Sequence, residues 1–147
     1  AKGEQNLLLF CGEKVMSPLL AGILALALAF IFNRLLVKSR GLESIFLEVP
    51  LVEEVSKLGA ALIFDAPFIS TYLIFGVGEA FYDLKSKKPI SLNAALFSIA
   101  SHYLFGVLAQ LVWEYTANIF LLVILTTTAH ALWNKLILIL GQKLEAK

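Results

Sequence analysis

Both histidines of the chain, His102 and His130, lie deep inside apolar runs, and Glu53, Glu54, Lys57 and Glu79 lie in similar surroundings. A charged side chain at the centre of a bilayer costs about 2.5–3.5 kcal/mol on insertion scales. Such residues therefore face a bundle interior or a wet cavity, and they are functional candidates by default. Imidazoles and carboxylates on facing helices support two chemistries. They can bind a divalent metal with an open coordination position, which polarises water or a carbonyl. Alternatively, a Glu and a His activate water directly while His and Asn stabilise the oxyanion; Asn134, at i+4 from His130, shares its face. Both routes end in hydrolysis of an amide inside or beside a membrane.

Each residue also has a plainer role. Glu53 with Lys57 (i, i+4), or Glu54 with Lys57 (i, i+3), makes a helix-surface ion pair that could snorkel to the interface. A single buried His is more often a hydrogen-bonded packing residue than a ligand. Glu79 could mark the end of its helix beside Asp83, and Asn134 could bond a neighbouring helix. Lys135 would snorkel inward, and the Thr126-Thr127-Thr128 run would bond its own backbone. Gly76-x-Gly78 suggests close helix approach, since no Gly-rich phosphate loop is present. Two histidines at matching depth, with Glu partners, weigh against the plain readings taken together. No HExxH occurs, no Gly-flanked serine pairs with a histidine, and the paired aspartyl signatures of presenilin-type proteases are absent. A net charge of +1 without a basic stripe gives no case for nucleic acid. Cys11 stands alone, so there is neither an internal disulfide nor a Cys-rich metal motif.

The elements that must position these groups follow from composition. The chain is 59% hydrophobic and 16% charged, with a mean hydropathy of +0.84, far more apolar than a soluble domain. The excess falls into five runs, which predicts an all-α polytopic bundle forming a single integral membrane domain over residues 1–147. The predicted spans are about 17–37, 42–64, 68–84, 91–113 and 119–140. Asp65-Ala66-Pro67, the "KSKKP" stretch and "EYTAN" separate the later ones. Lys and Arg cluster after the first, third and fifth spans, so the predicted topology is N-terminus out and C-terminus in. Trp113 and Tyr115 then sit in the outer aromatic belt. In "AKGEQNLLLFCGEKV" the apolar run Leu7 to Cys11 is too short for a signal peptide, and the stretch reads as a short interfacial segment.

Depth along each span tests whether the polar residues meet. His102 and His130 fall on the order of 15 Å from the inner ends of their helices. Glu79 reaches a similar level if its helix continues to Lys88. Glu53 joins them if the second helix begins at Leu42, with Pro50 as a kink; beginning at Val49, it is only ~6 Å deep. The longer helix is the expectation.

"EEVSK", from Glu53 to Lys57, resembles the E-E-x-x-K motif of PrsW-type intramembrane proteases, relatives of the CAAX-processing endopeptidases. "FGVGEAFYD" is similar to the family's F-x-x-x-E motif, with Phe75 and Glu79 in register. His102 in "SHYLFG" and His130 in "AHALWN" resemble its third and fourth motifs, and Asn134 completes H-x-x-x-N. The resemblance spans Pro50 to Lys135, with one motif per helix. It implies Glu53 as the water-activating base, with Glu54 and Lys57 as a supporting pair. Glu79, His102 and His130 would complete a metal site or a proton-transfer and oxyanion constellation, and Asn134 would orient the substrate carbonyl. The CAAX-processing branch has His where this chain has Glu79, so its metal-free glutamate mechanism does not transfer whole. The added carboxylate favours a divalent metal such as zinc on Glu79, His102 and His130, with Glu53 as a possible further ligand. The activity implied is cleavage of a membrane-anchored peptide or protein near the inner leaflet. Its partners would be lipid and substrate in a prokaryotic plasma membrane, with an oligomer allowed. A small proton or metal-ion transporter and a non-catalytic membrane scaffold are the alternatives. A transporter usually shows an internal repeat or paired broken helices, and neither is visible.

Overall fold

The computed structural model describes residues 2–85 and 91–145, and every regular element among them is helical. The helices are α1 (Lys2–Arg40), α2 (Glu48–Ile63), α3 (Phe68–Lys85), α4 (Ser91–Thr116) and α5 (Ile119–Glu145), with a 3-10 turn at Leu42–Phe46 between α1 and α2. Three stretches are long and apolar enough to cross a membrane: Met16–Arg40, Leu92–Thr116 and Ile119–Leu140. They are compatible with an integral membrane protein. The predicted interfacial segment is not separate, because α1 runs through it from Lys2. The good helix formers around Gly12 carry the helix onward. Lys88, to which α3 was expected to run, lies outside the described residues, and α3 is described as far as Lys85.

The second span departs most from expectation. No continuous helix runs from Leu42; the 3-10 turn ends at Phe46, Leu47 breaks the geometry and α2 starts at Glu48. Pro50 is the cause. In a helix running straight through, its ring would clash with the carbonyl of Phe46, and it has no N–H to donate. In the first turn of a new helix the missing N–H costs nothing, and Pro50 is buried there. The other connections behave as composition suggests. Asp65, at φ 49°, closes α2 before Pro67. Asn118 opens α5 by accepting the Phe120 and Leu121 N–H groups at 3.0 and 3.1 Å.

Packing places α2 against α1, α3 and α5, while α3 lies between α1 and α4. Two apolar clusters flank α2. Ala21, Ala25 and Ala29 of α1 meet Ala60 of α2 and Phe75 of α3. Leu58, Phe68, Tyr72, Phe105, Ala109, Val112 and Leu122 join α2 to α3, α4 and α5. The α3–α4 approach is close because Gly76 and Gly106 leave room. A Cβ on Gly76 would stand 2.8 Å from that of His102, and one on Gly106 would stand 2.9 Å from that of Tyr72. Gly78 faces α1 instead, against Leu26. The glycine pair is a packing device, as its sequence suggested.

Candidate functional site

The charged residues of "EEVSK" point inward. Glu53, Glu54 and Lys57 are 4%, 0% and 0% exposed, so the surface ion pair considered from sequence is not what forms. Leu51 and Val55 take the exposed face of α2 instead. Lys57 Nζ donates to Glu54 Oε1 at 2.5 Å, which is the i, i+3 pairing. The ammonium also stands 4.7 Å from the ring centres of both Tyr72 and Phe75, where the π faces help to compensate its desolvation.

Glu54 is saturated. Its Oε1 also takes His130 Nδ1 at 2.8 Å, and its Oε2 accepts the Tyr72 hydroxyl at 2.6 Å. These partners determine the imidazole tautomers. His130 donates from Nδ1 to Glu54, and its Nε2 faces Glu53. His102 accepts at Nδ1 from Lys57 Nζ at 3.2 Å, since an ammonium can only donate, and presents Nε2–H to Glu79 Oε2 at 2.5 Å. Ser98 donates to the same Glu79 oxygen at 3.2 Å. The aromatic side chains hold the rings. Phe105 stacks on His130 at 5.0 Å, and Phe75 meets His102 edge-on at 5.0 Å. Phe75 and Glu79, the residues of F-x-x-x-E, thus grip His102 at two points from one face of α3.

Glu53 differs. Its Oε1 accepts the Asn33 amide at 2.7 Å, but its Oε2 is buried and has no hydrogen-bond partner among the described residues. The nearest charged contact of that oxygen is His130 Nε2 at 3.6 Å, beyond hydrogen-bonding reach. Glu53, His102 and His130 are all buried, and each offers one ligand atom within 4.8 Å of the others, so the group could hold a metal ion. One carboxylate and two imidazoles form a donor set zinc accepts. Glu79 is not in the group. Its register on α3 sets it behind His102, where it orients the ring and is 34% exposed. His102 could ligate through Nε2 only by giving up that bond.

Asn134 takes another place. Its amide donates to the Ile45 carbonyl at 3.4 Å, which ties α5 to the 3-10 turn about one helical turn beyond His130. Glu53 joins the site without the long helix, and the 3-10 turn packs against α1 and α5. Thr126 and Thr128 bond backbone carbonyls, as expected, while Thr127 Oγ1 is buried and unpartnered. Asn33, Tyr72 and Ser98 were missed from sequence. For Asn33 a signal existed: it extends the every-fourth-residue series Ala21, Ala25, Ala29, which puts it on the buried face of α1. Compared with protein-family models, curated proteins and solved structures, the chain has no match.

Proposed function

We propose that the chain is an intramembrane endopeptidase of the PrsW type, hydrolysing a peptide bond of a membrane-anchored substrate with water activated at Glu53. The observation that carries this reading is Oε2 of Glu53, a buried carboxylate oxygen without a hydrogen-bond partner among the described residues, 3.6 Å from His130 Nε2. A native core leaves few polar atoms unsatisfied, and a carboxylate oxygen among them, next to a histidine, is a candidate for binding or reaction. In the reaction a water O–H proton passes to Glu53 Oε2 as the water oxygen bonds the carbonyl carbon. The C–N bond then breaks, and the departing amine takes the proton. His130 Nε2 would donate to the developing oxyanion, with His102 beside it held by Lys57 and Glu79. A divalent ion such as zinc would be held by Glu53, His102 and His130, and when bound it supplies Lewis-acid polarisation of the carbonyl.

The test is cleavage of membrane-tethered peptides in detergent or liposomes by wild type, Glu53→Ala and His130→Ala. Both substitutions should abolish cleavage, and unchanged activity in both would refute the assignment. Chelation followed by metal analysis separates the two mechanisms. One further observation favours transport as a second reading. Polar contacts run from half-exposed Glu79 through His102, Lys57, Glu54 and His130 to Glu53. Dissipation of a proton or metal gradient in sealed vesicles, without cleavage, would select it.

A further inference from the structure

Residues four apart on a helix keep nearly one face, so Ala21, Ala25, Ala29 and Asn33 form a single stripe along α1. Its three alanines are 0%, 0% and 2% exposed, against Ala60 and Phe75. Asn33 is where the stripe turns polar. An amide at the end of an apolar packed face needs a partner, and this one donates from Nδ2 to Glu53 Oε1 at 2.7 Å. Hydrogen bonding between helices would account for that contact alone. It does not account for what surrounds it, because Asn33 Oδ1 and Glu53 Oε2 are both buried acceptors without a donor. Two bare acceptors flank one satisfied contact, and a water molecule has two O–H groups to give.

We propose that Asn33 is the positioning residue of Glu53. By occupying Oε1, its amide fixes the carboxylate plane and leaves Oε2 as the oxygen presented toward His130 Nε2. Asn33 Oδ1 supplies a second acceptor for the same water. This role rests on the reading of Glu53 as the water-activating base. It adds α1, which carries none of the motif residues, to the site.

The test compares wild type, Asn33→Leu, Asn33→Gln and Glu53→Gln in liposomes, on a membrane-tethered reporter peptide. Loss of carboxylate alignment should lower kcat of Asn33→Leu by ~10–100-fold with KM within about twofold. Asn33→Gln, which keeps an amide donor, should recover much of the loss. A second readout is the infrared carboxylate band of Glu53, isolated as wild type minus Glu53→Gln. It should move in Asn33→Leu and return toward its wild-type position in Asn33→Gln. A role confined to joining helices would lower the melting temperature and leave kcat unchanged, which overturns the proposal. If wild type cleaves nothing, the peptidase reading fails, and the band alone decides the hold of Asn33 on Glu53: a moved band upholds it and an unmoved band overturns it. Should Asn33→Leu not fold, Asn33→Ala, which keeps the stripe small, carries the same comparison.

Discussion

Glu54 accepts hydrogen bonds at both carboxylate oxygens, from Lys57, His130 and Tyr72, whereas Glu53 accepts one from Asn33 and keeps its other oxygen bare. The two residues are adjacent in one helix and equally enclosed. Around Glu54 every buried charge has a partner of opposite sign or a donor, which is how a core tolerates charge. Around Glu53 the same core holds an acceptor it does not satisfy, which works against stability. The contrast separates a carboxylate that holds the helices in place from one that is available to a substrate or an ion.

The largest expected effect falls on the bare side. Glu53→Gln should cut peptide cleavage by about 10²–10⁴-fold, the contribution of a positioned general base. It should also keep or raise the melting temperature, since it removes an ionisable group from the core yet leaves an oxygen for the Asn33 amide. Glu54→Ala should do the reverse in kind, losing roughly 3–5 kcal/mol of stability because Lys57 is stranded as an uncompensated buried charge. Thermal or denaturant unfolding in detergent measures it, and a protein as stable as wild type would erase the distinction between the two glutamates. Gly76→Ala should destabilise by about 1–3 kcal/mol through overpacking against His102, with activity falling alongside. An unchanged melting temperature would mean that α3 and α4 can separate freely. Asn134→Ala should have the smallest effect, about 0.6 kcal/mol, the average for a hydrogen bond between membrane helices. Hydrogen exchange should quicken at residues 42–47 while cleavage holds near wild type; a collapse of kcat would instead place Asn134 at the substrate carbonyl.

Much of this was legible beforehand. Long apolar runs broken by Pro67 and Asn118 mark helices, because burial and backbone satisfaction in an apolar setting leave few other options. Polar residues inside those runs mark the site for the same reason, and Glu53, Glu54, Lys57, Glu79, His102 and His130 do converge. Depth counted along the chain misled, since it assumes that all helices begin at one level. Pro50 forbids the long helix, and Glu53 reaches His130 from the short one.

From sequence alone, then, come the helices and the polar residues they cannot expose, since both follow from composition and local sterics. Which oxygen of which glutamate lacks a donor, that Glu79 stands behind His102, and that Asn33 reaches Glu53 depend on the rotation and offset of neighbouring helices. Those are settled by small residues meeting across an interface, as Gly76 meets His102, and no single segment encodes them.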